Sequence, residues 1–242
     1  MPQCFFPDFS FFFFFFFFFS IFKGVSMFKK TLLAVALSGI ALSAAAHQLW
    51  LERDATGPVR VYVGDADSQH DKGAEVAKLA ATTQVFTTDR QQTAKLTAKE
   101  EFLEADVAAA GDVRLSNDQV WKPWKAKDGS FQAAVFNARA GRSETQAVLD
   151  YELVPVTAGG NTFTLVFKGQ PVANKTVTVI TPDKWTKGFK TDAAGRVDVP
   201  VNGKGRYVLV STHEAPAVGD VVIAGQKVAK LGYTTTLTFV AQ

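Results

Sequence analysis

Residues 188–212 read GFKTDAAGRVDVPVNGKGRYVLVST, and this stretch decides the fold. Asp192-Ala193-Ala194-Gly195 is a hairpin-type connection, and residues 196–201 after it carry strand chemistry. Asn202-Gly203-Lys204-Gly205 turns the chain again, into residues 206–212. Short strands punctuated by glycine-bearing turns continue on both sides. Towards the C-terminus, residues 233–240 alternate polar and apolar. Towards the N-terminus, residues 175–181 and 162–167 are strands separated by the turn Lys168-Gly169-Gln170-Pro171. Residues 147–156 set Val148, Tyr151 and Leu153 against polar partners. Regularly spaced strands of this kind predict a small Ig-like or prealbumin-like sandwich over 146–242.

The polar break NARAGRSET, residues 137–145, marks the expected boundary with an N-terminal β-rich domain over 47–145. There, residues 48–52 and 59–63 alternate as strands and flank the turn Thr56-Gly57-Pro58. A polar loop, 64–73, follows, and the alanine-rich residues 74–83 predict a short helix. Residues 84–88, 95–97 and 111–116 read as strands, and 99–110 as weakly helical. Trp121 and Trp124 flank Pro123 and are expected to cover a sheet edge. Asp128-Gly129 then turns into a strand at 131–136. The expected class is all-β: two sandwich segments, with a short helix in the first.

The segment before this β-rich chain has a different character. Residues 27–50, MFKKTLLAVALSGIALSAAAHQLW, read as a secretory signal followed by a mature start. Lys29 and Lys30 form the positive region, 31–42 is apolar, and Ala44-Ala45-Ala46 supplies the small residues of a cleavage site. Residues 1–26 contain nine consecutive phenylalanines, Phe11 to Phe19, and read as a mis-assigned start upstream of Met27. Cleavage after Ala46 predicts a periplasmic protein whose first residue is His47. The phenylalanine count then falls from 22 to 8, because 14 precede His47, and the formal net charge falls from +3 to +1. The apparent basicity therefore belongs mostly to the leader. Without a basic stripe, nucleic acid is excluded as a partner. The one cysteine, Cys4, lies in the leader, so neither a disulfide nor a thiolate metal site is expected. Past residue 46 no apolar run is long enough to span a membrane, and the mature form is expected not to do so.

Chemistry centres on three histidines, His47, His70 and His213. His47 as a mature terminus would offer an amine and a ring nitrogen to one ion. His70 sits in the polar loop after the second strand, and His213 follows residues 206–212. All three lie at strand ends, where ligands can converge without burying polar groups. Imidazole donors suit nickel, cobalt or copper, and zinc also fits. Glu52, Glu214 and Asp65 are the carboxylates expected to orient the rings. Trp50, Trp121, Trp124 and Trp185 are expected to serve packing rather than a ligand platform. There is no nucleophile elbow, phosphate loop or dinucleotide fingerprint, and the chain is expected not to be an enzyme.

The sequence His47-Gln48-Leu49-Trp50-Leu51-Glu52 after a cleavable signal resembles the start of a periplasmic family described as a component of cobalt and nickel uptake. Leu153-Val154-Pro155, Gly169-Gln170-Pro171-Val172, the stretch 191–197, the stretch 205–213 and the closing 233–239 are also similar to that family. The resemblance implies a non-enzymatic protein that captures a divalent metal and delivers it to a membrane transporter. It also implies ligands at His47, His70 and His213. The family often places a histidine directly after the glycine that ends the second strand. Here Asp65 follows Gly64, which brings in Asp65 or Asp67 as a substitute ligand. Two other functions fit the same residues: a sandwich module displaying loops to a protein or sugar, and a copper protein with an N-terminal histidine brace.

Overall fold

A computed structural model of the chain describes residues 47–54 and 57–242. The leader and its cleavage site, expected within 1–46, lie outside the described residues. The described residues belong to one compact unit, and they are built almost entirely of strands. In chain order these begin with β1 (Gln48–Arg53), β2 (Val59–Gly64), β3 (Gln84–Phe86), β4 (Leu96–Ala98), β5 (Leu103–Ala105), β6 (Val113–Asn117), β7 (Trp124–Lys125) and β8 (Phe131–Ala140). They continue with β9 (Tyr151–Pro155), β10 (Thr162–Phe167), β11 (Gln170–Pro171), β12 (Thr176–Ile180), β13 (Thr186–Lys190) and β14 (Arg196–Asp198). The last four are β15 (Gly205–Pro216), β16 (Val222–Ile223), β17 (Gln226–Lys227) and β18 (Lys230–Ala241). The one α-helix among the described residues, α1 (Ala74–Ala77), runs into a 3-10 turn at Lys78–Ala81. No helix among them is long and apolar enough to cross a membrane.

The strands form three layers. The central sheet has the order β13-β12-β15-β18-β8-β6-β3. Its pairs are antiparallel except β18–β8, which run parallel from Lys230↔Gln132 to Thr238↔Ala140. One face of it is covered by the sheet β1-β2-β5-β4, and the other by β10 with β9, β11 and β14. Alternation along the shared strands explains how one sheet serves two cores. On β8, Ala134, Phe136, Ala138 and Ala140 pack with Leu49, Leu51, Val61 and Leu103 of the first covering sheet. On β18, Tyr233, Leu237 and Phe239 point the other way, to Tyr151, Leu153, Phe163 and Leu165. Each fully buried side chain of this size contributes about 1.5–3 kcal/mol relative to exposure. The first covering sheet is also tied down by hydrogen bonds. Thr236 Oγ1 donates to the Leu49 carbonyl at 2.8 Å and Thr238 Oγ1 to the Leu51 carbonyl at 2.5 Å.

The all-β sandwich architecture expected from the sequence is present. Across the boundary expected at 145/146 both sheet and core are shared: β3, β6 and β8 lie in the central sheet with β12, β13, β15 and β18, and Ala133 of β8 packs in the core of the C-terminal strands. The weakly helical stretch at 99–110 instead contains β5. There Leu103 and Ala105 are buried one residue apart, and the free edge of β2 takes up the backbone bonds.

Candidate functional site

Gly64 ends β2 and organises the place where His70 and Asp65, two of the candidate residues, lie. It pairs with Gln48, the first residue of β1, and forms an isolated bridge with His70 as the polar loop folds back. The loop is closed by the Asp65 N–H donating to the Gln69 carbonyl and the Asp71 N–H donating to the Val63 carbonyl, both at 2.8 Å. Only glycine suits the closure. Its φ is +127°, and a Cβ there would stand 2.6 Å from the His70 Cα.

His70 turns its ring against the edges of Tyr62 and Trp50, with centroids 5.2 and 6.2 Å away. Its Nε2 is buried and has no hydrogen-bond partner; the nearest carboxylate oxygen, Glu101 Oε2, is 3.6 Å away. Two more buried oxygens beside Gly64 are also unpartnered: Gln48 Oε1 and Asp65 Oδ1. A buried polar atom without a partner is costly, and three on residues paired with or next to one glycine call for a ligand or ordered water. His47 lies one residue before β1, half exposed, with Nε2 3.5 Å from Asp71 Oδ1 and its ring edge towards Trp121. The Lys72 ammonium, and after it His70, holds the Glu101 carboxyl below its ordinary range.

His213 stands apart: it lies within β15, paired with Tyr233 of β18, and not at a strand end as expected. On β15, Val208 and Val210 face Trp50 and Ile180, whereas Tyr207 and Leu209 face the opposite core. His213 shares the second face and packs on Phe167 and Tyr151, with centroids 4.6 and 5.5 Å away. The central sheet therefore lies between His213 and His70. Burial, and then Lys175, holds the His213 ring below its ordinary pKa, and its Nδ1 is buried without a partner. Among the described residues no group of three or more His, Cys, Asp or Glu is placed to hold one metal ion.

Two of the orienting carboxylates are elsewhere. Glu52 accepts from the Trp50 indole and from Arg206, each at 3.1 Å. Glu214 pairs with Lys230 on the surface. The carboxylates beside the rings are Asp71 and Glu101, which sequence reasoning missed. Asp71 follows His70 directly, a signal that was available. Glu101 comes from the segment before β5, whose position only the tertiary fold sets. The tryptophans divide: Trp50 is buried, while Trp121, Trp124 and Trp185 are exposed.

No family model matches this chain, and no curated protein matches it either.

Proposed function

We propose that this is an exported protein that binds a divalent transition metal, nickel or cobalt before copper or zinc, and passes it to a membrane transporter. One observation carries the proposal: an imidazole nitrogen, a carboxylate oxygen and an amide oxygen (His70, Asp65 and Gln48) are all buried and unpartnered on residues paired with or next to Gly64. A mixed nitrogen and oxygen donor set suits a borderline divalent ion better than a soft one. His47 adjoins Gln48, so signal cleavage after Ala46 would add an amine and a second imidazole at the same strand end. The likeness of residues 47–52 to the start of a cobalt and nickel uptake family supports the same reading. A bound metal would supply charge to this site, and Gln48, held by β1–β2 pairing, and His70, held by the Gly64 bridge, would be among its donors. His213 is not part of the proposed site.

Titration calorimetry on a chain beginning at His47 tests this. Nickel or cobalt should bind with one-site stoichiometry at neutral pH. Binding should weaken below about pH 6, because a ligand imidazole must be neutral. His70→Ala should abolish binding, and a chain retaining Ala46 should bind more weakly. His213→Ala should bind as the parent does. Absence of heat with nickel, cobalt and copper rejects the proposal.

A further inference from the structure

An open cleft of about 440 Å³ runs along the flank of the C-terminal sandwich, between β13 and the loop 200–204. β13 is the last strand of the central sheet, so no further strand covers this side. Phe189 and Tyr207 belong to the cleft's apolar wall, and Trp185 stands among its lining residues 59% exposed. Lys187 and Lys204 line it as well, and neither makes an ion pair among the described residues. The Lys187 ammonium lies 5.3 Å from the centre of the Phe189 ring.

The polar groups decide what such a cleft can hold. Phosphate is usually cradled by free backbone N–H groups, but those of Asn202 and Gly203 are spent on the Tyr207 hydroxyl, at 3.2 and 3.1 Å. The Asn202 side chain offers both donor and acceptor, and the Asp183 carboxylate, which accepts from Thr181 Oγ1, retains acceptor capacity. The cleft thus combines an exposed indole face, two unpaired cations, and mixed donors and acceptors. A sugar ring has an apolar face and hydroxyl edges that need both kinds of partner, and a uronic acid adds a carboxylate for the lysines.

We infer that this cleft binds an acidic saccharide, with Trp185 against the apolar ring face and Lys187 and Lys204 on its carboxylates. The site shares no residue with the Gln48–Asp65–His70 cluster, so either can fail alone.

Titrating the chain with trigalacturonic acid, followed by calorimetry and tryptophan emission, is the test. The expected result is one-site binding that weakens with added salt and is lost in Trp185→Ala. The double substitution Lys187→Gln with Lys204→Gln should weaken it about threefold to tenfold, the scale of two exposed ion pairs. The methyl-esterified trisaccharide, uncharged but similar in shape, should show a similar loss. Trp185 is exposed, and matching far-UV dichroism would show that Trp185→Ala is folded. The inference is overturned by no binding, by binding unchanged in Trp185→Ala, or by tighter binding of adenosine monophosphate or triglutamate than of the trisaccharide.

Discussion

Glu152 shows how far a single residue can depart from its pattern. In the alternation of residues 147–156 it reads as a solvent-facing partner of Tyr151 and Leu153, yet it is completely buried. It accepts from Arg114 Nε and Arg139 Nη1, both at 3.0 Å, and from the N–H groups of Val148 and Leu149 at 2.6 and 2.8 Å. Arg114 and Arg139 are register partners on β6 and β8, on the face turned away from Phe136 and Leu115. Asp112 completes the cluster through Arg139. Burial pushes its carboxyl up, but Arg139 and Ser143 together hold it below its ordinary range. A carboxylate depressed in this way adds stability above its unfolded pKa and loses it as pH falls through the folded value. Removing Glu152 would leave Arg114 with Glu144 and Arg139 with Asp112, but would take one buried acceptor from each guanidinium and the acceptor of the Val148 and Leu149 N–H groups. Glu152→Leu should therefore cost about 3–5 kcal/mol in urea unfolding, and Glu152→Gln less, because the amide oxygen still accepts. A loss under about 1 kcal/mol for Glu152→Leu would mean that water reaches the guanidiniums.

At the scale of elements, the β1–β2 pair and its returning loop carry the candidate metal site. The pair is legible in sequence because both strands alternate and a Gly-Pro turn separates them. The loop's closure is not legible, since it depends on one backbone bridge between Gly64 and His70. Gly64→Ala should cost about 1–3 kcal/mol of stability, because φ is positive and backbone atoms block the new Cβ. It should also weaken metal binding more than Gly73→Ala does. Gly73 too has a positive φ, but the nearest atom to a Cβ there is a side-chain oxygen at 3.7 Å. Thermal melts and calorimetry on the two variants check this, and equal metal affinity would separate the bridge from the site.

For the whole molecule, the central sheet makes the two cores interdependent. β8 gives Ala133 to one core and Ala134, Phe136 and Ala138 to the other, and it pairs with β18 from the end of the chain. A chain of residues 47–145 would lack β18, and would expose Arg114 and Arg139 without Glu152. Such a fragment should show collapsed amide dispersion by NMR. The full unit should unfold in one urea transition, coincident by tryptophan emission and far-UV dichroism. Two separated transitions would show that the cores are independent.

The sequence by itself determined the all-β class and most strand positions, because two-residue alternation and turn chemistry are local. Tertiary structure alone decided which face each side chain joins and which strands are neighbours. Two histidines on opposite sides of a shared sheet look alike in sequence, since side-chain alternation fixes a relative face but not what lies beyond it. That is why His213 parted from His70, why Glu152 turned inward, and why residues 137–140, polar in sequence, continue β8 in the central sheet.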